Sequence, residues 1–388
     1  MIRLAILGST GSIGRSTLEV VRRHPERFRV VGLSARTRIR ELAGQVAEFK
    51  PEVAVISDDD VLRGADATDA LPAADWRGGR DEVVSLAGRE DVDVVVNALV
   101  GAAGLEPSLV ALRSGKRLAL ANKESLVTGG PLVLAAVAEG GGELVPIDSE
   151  HSAILQCMEG AQHGSVTRLV LTASGGPFRG WSPERLQHVR PRDALRHPTW
   201  DMGAKITVDS ATLANKALEV IEAHFLYGME YDAIDVVVHP QSIVHSFVEF
   251  VDGSVLAQMG LPTMELPILY ALCYPGRVSD GVLRTFDPIR SSPLTFEAVD
   301  HDTFPLFGLG VAAGRRGGAS PAVFNAGNEI AVQAFLEERI RFPDIERVVS
   351  TALERVDGGP PESVAAVLEV DREARALARG IVKRLSRP

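Results

Sequence analysis

The sequence is poor in the features that mark a specialised class of protein. Its 388 residues include only two cysteines, Cys157 and Cys273, far apart and in neither a CxxC nor a metal-ligand spacing. Both read as small apolar packing residues of a chain kept in a reducing compartment, which argues against a disulfide-stapled fold. Aromatic residues make up 5% of the chain, and no apolar run approaches the roughly 18 residues needed to span a bilayer. Basic residues are not in excess. The 41 Lys and Arg stand against 51 Asp and Glu, a formal net charge of −10, with the two signs interspersed. That balance leaves no electrostatic footprint for nucleic acid or an anionic membrane, although a local basic pocket for a small phosphorylated ligand remains compatible with it. No charged n-region with an apolar h-region, and no Arg/Ser-rich transit segment, precedes the strand-like run Ile2–Leu7. The chain is therefore expected to be complete and cytoplasmic. Internal repeats and low-complexity segments are also lacking.

What is present is ordinary globular composition, 45% hydrophobic and 24% charged, over a length that implies two or three domains. Strand-like runs at Ile2–Leu7, Arg29–Ser34, Glu52–Ile56, Asp93–Ala98, Arg117–Ala121 and Gly142–Ile147 alternate with helical periodicity at Arg15–Arg23, Ile39–Phe49 and Leu105–Ser114. This predicts an α/β fold opening with a Rossmann-like, doubly wound parallel sheet over residues 1–150. Residues 151–274 change to α+β character, with one helical pattern at Ser210–Tyr227 and a hairpin turning at Asp252–Gly253. A Pro/Gly/Asp-rich stretch over 275–318 reads as a linker, and three helical patterns over 319–388 read as a C-terminal helical domain.

The first strand runs directly into Gly8-Ser9-Thr10-Gly11-Ser12-Ile13-Gly14 and then a helix. Glycines three apart allow a tight turn and close approach to a pyrophosphate, while free N–H groups at the helix start hold the anion. Thr10 stands where the common GxGxxG fingerprint has its second glycine. The second strand ends in Ala35-Arg36-Thr37-Arg38, with no acidic residue for a ribose 2′-hydroxyl. Two guanidiniums and a hydroxyl suit a 2′-phosphate, so the cofactor is expected to be NADPH; the plain alternative is a pair of solvated loop charges.

Asp148-Ser149-Glu150 follows a strand, and residues i and i+2 of extended chain face the same way, so the two carboxylates are expected to converge on a hard divalent ion such as Mg²⁺ or Mn²⁺. In Ser210–Glu219, Asn215, Lys216 and Glu219 share a helix face with Ser210 at the expected helix start, a phosphate site with a possible third metal carboxylate or simply a capped amphipathic helix. Ser174-Gly175-Gly176 is a candidate anion nest after a strand. Lys123, in Asn122-Lys123-Glu124, falls at a strand C-terminus, where it is expected to contact substrate. His197-Pro198-Thr199-Trp200-Asp201-Met202-Gly203 combines proline, tryptophan and glycine as a lid would, over about 196–205. His239 and His245 are expected to be core or supporting residues and not ligands.

Taken as a set, GSTGSIG at Gly8–Gly14, NKE at Asn122–Glu124, DSEHSA at Asp148–Ala153 and SGGPF at Ser174–Phe178 resemble the 1-deoxy-D-xylulose 5-phosphate reductoisomerase family. The match continues through HPTWDMGAKITVDSATLANKALE at His197–Glu219, HPQSIVHS at His239–Ser246 and NAGNE at Asn325–Glu329, covering nearly the whole chain. The resemblance implies rearrangement of 1-deoxy-D-xylulose 5-phosphate to a branched aldehyde. NADPH then reduces this to 2-C-methyl-D-erythritol 4-phosphate, the first committed step of non-mevalonate isoprenoid synthesis. It places metal ligands on Asp148, Glu150 and Glu219, and substrate contacts on Lys123, Ser149, Glu150, Ser174, His197, Ser210, Asn215, Lys216 and Glu219. Lys123 and Glu150 are the positions it makes catalytic. NADPH contacts fall on Thr10, Gly11, Ser12, Ile13, Arg36, Thr37, Arg38, Asn122, Glu124 and Gly203. Trp200 and Met202 correspond to lid residues, and a homodimer is the family expectation. Arg36-Thr37-Arg38, Asp201 and Thr263 depart from the usual pattern of the family. Two other readings remain: another two-domain NADP-dependent dehydrogenase, which would need no divalent metal, and a non-catalytic NADPH-sensing protein, which would bind cofactor without turnover.

Overall fold

The computed structural model describes residues 1–65, 71–162, 164–200, 202–356 and 358–386. They form two compact units, each assembled from separate stretches of chain.

The first unit comprises residues 1–125, 131–152 and 263–284. Its seven-stranded sheet has the order β4-β3-β2-β1-β5-β6-β7. The strands are β1 (Ile2–Leu7), β2 (Phe28–Ala35), β3 (Val53–Ile56), β4 (Asp75–Gly78), β5 (Val94–Asn97), β6 (Arg117–Leu120) and β7 (Glu143–Pro146). Every pairing is parallel. Val-, Leu- and Ile-rich runs such as Leu4–Leu7 and Val94–Val96 are fully buried, as strands covered on both faces by helices must be. Strand order reverses between β1 and β5, so the glycine turn after β1 opens at the topological switch point, where ligands of such sheets bind. β4 was not anticipated: Asp75-Trp76-Arg77-Gly78 is a polar, half-exposed edge strand with no apolar alternation to betray it.

The second unit comprises residues 126–130, 153–262 and 285–388. Its mixed sheet has the order β11-β10-β8-β9-β12, built from β8 (Val166–Ala173), β9 (Ile234–Val238), β10 (Val244–Phe250), β11 (Val255–Met259) and the short β12 (Glu297–Ala298). The hairpin β10–β11 turns at Asp252–Gly253 as expected, but only Gly253 takes a positive φ, 83°. Asp252 Oδ1 instead accepts the Ser254 N–H and hydroxyl. The helices Ser320–Leu336, Asp344–Arg355 and Val364–Leu385 are the three expected at the C-terminus. They share one continuous apolar core with β8 and the helix Ala214–Tyr227, through residues such as Leu171, Ile221, Phe324 and Val349.

The units therefore divide the chain differently from the contiguous domains the sequence suggested. The helix Glu265–Cys273 packs on the helix Ser12–Arg23 and beside β6 and β7, within the first unit. The stretch read as a linker contains β12 and the helix Pro305–Arg316, which packs on the helix Ala214–Tyr227. Tertiary burial of short apolar faces decides both cases, and a linker-like composition does not reveal it.

The return segment is held by a buried ion cluster. Asp280, its side chain 1% exposed, accepts from Arg23 Nε at 2.8 Å and His24 Nε2 at 3.1 Å, and Arg23 also meets Glu265 at 2.8 Å. Burial alone would raise the Asp280 pKa; the backbone N–H of Val282, Arg23 and His24 reverse that and hold it down at about 2. A carboxylate whose folded pKa is depressed stabilises the fold above its ordinary value near 3.8 and loses that contribution as pH falls through about 2. Asp280→Asn should therefore lower stability by about 1–3 kcal/mol at pH 7, with the gap narrowing toward pH 2 in urea denaturation. A gap that stays constant with pH would show that charge is not what holds the segment.

Candidate active site

In the first unit the glycine turn is sterically specified. Gly8 takes φ 82°, and a Cβ there would lie 2.6 Å from the Ala98 carbonyl oxygen. A Cβ on Gly14 would meet the Gly8 oxygen at 2.4 Å, so helix and strand pack through that glycine. The helix starts at Ser12 with no side-chain cap and no acidic residue in its first turn, leaving N–H groups for an anion. Thr10 is buried, Gly11 and Ile13 are half-buried and Ser12 is exposed. Gln45, which no sequence signal marked, buttresses the turn by accepting from Ser9 Oγ at 2.6 Å and donating to the Ser9 carbonyl at 3.0 Å. Arg36, Thr37 and Arg38 are exposed, and Arg38 Nη1 donates to the Thr10 carbonyl at 3.1 Å.

Asn122 caps the helix Lys123–Gly140, its Oδ1 accepting from the Ser125 N–H at 3.0 Å. Its Nδ2 donates to the carbonyls of Leu99 and Gly101 and to Glu124 Oε2. Both Asn122 and Glu124 are buried. Asn97, at the end of the aliphatic β5, extends this network to the Gly104 carbonyl and Ser108 Oγ. The cap fixes where Lys123 starts its helix, and Lys123 forms an ion pair with Asp148. Asp148-Ser149-Glu150 is not extended chain, as the sequence reading assumed. Ser149 and Glu150 open the helix Ser149–Met158, because the Ser152 N–H turns back onto the Asp148 carbonyl at 2.8 Å. The carboxylates still converge, with ligand oxygens of Asp148 and Glu150 within 4.8 Å. Ser149 donates its hydroxyl hydrogen to Glu150.

In the second unit three polar groups gather. His197 Nε2 lies 3.0 Å from Ser174 Oγ and 3.1 Å from Ser210 Oγ. Its Nδ1 accepts the N–H of Thr199 at 3.1 Å and of Trp200 at 2.9 Å. Two donors on Nδ1 fix the neutral tautomer with hydrogen on Nε2, and burial lowers the imidazole pKa, which keeps the ring neutral. Gly176, at φ 66°, lets the Ser174 turn approach: a Cβ there would lie 2.5 Å from the Ser210 carbonyl oxygen.

The single helical pattern read from Ser210 to Tyr227 is two helices, Ala204–Thr212 and Ala214–Tyr227. They are separated by Leu213, left-handed at φ 60° and buried in the core. Ser210 thus sits in the last turn of the first helix, not at a helix start. The shared face holds: Asn215 Nδ2 donates to Glu219 Oε1, and Lys216 Nζ to Oε2, each at 2.5 Å. Glu219 is 1% exposed and Lys216 4%. Gly203 caps the helix Ala204–Thr212, Trp200 and Met202 flank it half-buried, and Asp201 lies outside the described residues. The Thr263 hydroxyl accepts the Glu265 N–H at 3.2 Å, where it starts the next turn. His239 is structural, its Nε2 accepting the N–H of Ile243 and Val244, and its Nδ1–H reaching the Thr295 carbonyl.

The NAGNE segment also has a place here. Asn328 Nδ2 donates to Asp209 Oδ1 at 2.8 Å, and Lys205 pairs with Oδ2 at 2.8 Å. Asn328 and Asp209 are buried, and Asp209 immediately precedes Ser210. A helix of the C-terminal bundle thereby fixes the turn that presents the Ser210 hydroxyl.

Three family models match the chain. Residues 4–130 match 1-deoxy-D-xylulose 5-phosphate reductoisomerase, residues 144–227 its C-terminal domain, and residues 259–377 the DXP reductoisomerase C-terminal domain. The 1-deoxy-D-xylulose 5-phosphate reductoisomerase of Crocosphaera subtropica is 48% identical, over 97% of this chain and 95% of its own. That of a Synechococcus species is 50% identical, over 97% and 96%. A solved DOX-P reductoisomerase in complex with NADPH, fosmidomycin and magnesium superposes with TM-score 0.93 at 40% identity, covering 99% of each chain. The Zymomonas mobilis enzyme in complex with NADPH gives 0.89 at 40%, covering 99% of this chain and 100% of that one.

If Ser210 binds phosphate and the Asn328–Asp209 bond sets its hydroxyl, Asn328→Leu should weaken inorganic phosphate binding roughly tenfold while leaving NADPH binding unchanged. The exchanged pair Asp209→Asn with Asn328→Asp should recover part of the loss. Phosphate titrations followed by ³¹P line broadening read both, and undiminished binding in Asn328→Leu would remove the role.

Proposed function

The chain belongs to the 1-deoxy-D-xylulose 5-phosphate reductoisomerase family, and from that membership we propose how its residues divide the work of a metal-dependent, NADPH-consuming rearrangement. It is an NADP-dependent oxidoreductase and isomerase that uses NADPH and a divalent cation on a small phosphorylated substrate. We assign the cofactor to residues 1–150, at Thr10, Gly11, Ser12, Ile13, Arg36, Thr37 and Arg38, with Gly203 from the following region. Asn122 and Glu124 are assigned through the buried cap that shapes the loop after β5. Residues 153–262 carry most of the proposed substrate contacts and the lid at 196–205, and 319–388 form a helical region.

Asp148, Glu150 and Glu219 are the proposed metal ligands. The observation that carries the assignment is the chemistry of this donor set. Carboxylates of low exposure pair with lysines, Asp148 with Lys123 and Glu219 with Lys216. Hard oxygen ligands of this kind suit Mg²⁺ and Mn²⁺. When bound, the ion polarises the ketone and neighbouring hydroxyl oxygens, and NADPH supplies the hydride.

The chain's own groups do the rest. Ser174, Ser210 and the Nε2–H of a neutral His197 donate to the phosphate, assisted by Asn215 and Lys216. Binding energy at this remote group orients the reacting carbons. Lys123 donates to substrate oxygen where negative charge develops, and Ser149 orients Glu150 through its hydroxyl. We further propose a cytoplasmic homodimer. In support of the dimer, the edge strand β11 exposes Val255 at 51% and Leu256 at 48%, an apolar edge that no other strand among the described residues pairs with and that a second copy would cover.

NADPH oxidation on adding 1-deoxy-D-xylulose 5-phosphate, with and without Mg²⁺ or Mn²⁺, tests the reading. Turnover without metal would favour a plain NADP-dependent dehydrogenase. Glu150→Gln should reduce turnover by at least about a hundredfold with NADPH affinity intact, and near-normal turnover would remove Glu150 from the metal site. Leu256→Asp should shift sedimentation from dimer to monomer; a wild-type monomer would overturn the dimer assignment.

A further inference from the structure

The glycine turn carries a guanidinium that neither the dinucleotide fingerprint nor the 36–38 segment accounts for. Arg15 lies in the first turn of the helix Ser12–Arg23, where the helix dipole favours acidic residues and disfavours a cation. Its Nη1 donates to the Thr10 carbonyl at 2.9 Å. Arg38 Nη1, arriving from the end of the second strand's loop, donates to the same oxygen at 3.1 Å. Two guanidinium nitrogens therefore sit within about 6 Å of each other on one carbonyl. Glu41 stands beside both, its Oε2 3.5 Å from Arg38 Nη1 and 3.9 Å from Arg15 Nη1. All three side chains are about half exposed, so an incoming anion can reach them without opening the core.

A cation at a helix N-terminus, paired with a second cation on a shared acceptor, is unfavourable unless an anion faces both. In this structure the Glu41 carboxylate fills that role from 3.5 and 3.9 Å, longer than a charge-assisted hydrogen bond. A phosphate monoester dianion presents more charge and three oxygens, and planar guanidiniums grip such oxygens two at a time. We propose that Arg15 is a cofactor-specificity residue. It donates with Arg38 to the phosphate on the adenosine ribose 2′ position of NADPH, and Glu41 is the resident anion that this phosphate displaces. The inference rests on the assignment of the 36–38 segment to the 2′-phosphate. It adds a contact from the first helix, outside the loop that ordinarily decides between the two nicotinamide cofactors.

The charges predict opposite effects at the two positions. Arg15→Ala removes a donor to the dianion and should raise the NADPH dissociation constant about tenfold, leaving that of NADH within twofold. Glu41→Gln removes the competing carboxylate and should tighten NADPH about threefold, again with little change for NADH. Both constants are read from nicotinamide fluorescence with the full-length protein, and circular dichroism of each variant checks its fold. Arg36→Ala with Arg38→Ala is measured in parallel. If that pair narrows the NADPH preference while Arg15→Ala does not, the Arg15 inference alone fails. If the pair leaves the preference unchanged, the underlying assignment of the segment fails and takes the inference with it. Equal weakening of NADPH and NADH by Arg15→Ala would place Arg15 on the pyrophosphate and overturn the specificity role.

Discussion

The ion pair between Lys216 and Glu219 is the constraint around which the second unit's chemistry is arranged. Both side chains are nearly removed from water, and a buried carboxylate left without a cation would take up a proton instead of staying charged. The pair satisfies itself within one turn of helix, with Asn215 supplying a donor to the other oxygen. The helix Ala214–Tyr227 carries this pair in its first turns, after the break at Leu213, and the preceding helix ends with Ser210 beside His197. The face that carries this pair is the one proposed above for substrate.

The same rule recurs at Asp148 with Lys123, at Asp209 with Lys205 and Asn328, and at Asp280 with Arg23 and His24. Replacing such a pair by apolar residues would often be tolerated for stability alone. Here the first two pairs touch or adjoin proposed ligands, where apolar substitutes could serve no chemistry, whereas the third only fastens one segment to another.

The amino-acid sequence exposes what depends on local pattern. The strands and the glycine turn of the first unit are legible because apolar runs and glycine spacing are read one residue at a time. The proposed ligands were legible for a different reason, as a set of motifs in a fixed order. Backbone conformation around them was less so. Asp148–Glu150 looks the same on paper whether extended or opening a helix, and Leu213 carries no glycine to announce a left-handed turn. Asn97 and Gln45 carry no signal, and Asn328 is visible only as part of the NAGNE motif with no role attached, because a lone amide has no periodic pattern. Its importance comes from a carbonyl or carboxylate brought to it by distant chain. The fate of Glu265–Cys273 is likewise a tertiary matter, since its apolar face fits either unit equally well as a pattern.

That helix has a consequence for how the protein is made. The cluster joins Arg23 to Asp280, which lie 257 positions apart along the chain. A growing polypeptide emerging N-terminus first can pair the seven parallel strands early, yet the last piece of that unit leaves the ribosome only after most of the other unit has been synthesised. At roughly 5–20 residues per second, the early sheet waits many seconds with the flank of its first helix uncovered. Such a layout couples completion of the first unit to the synthesis of most of the chain.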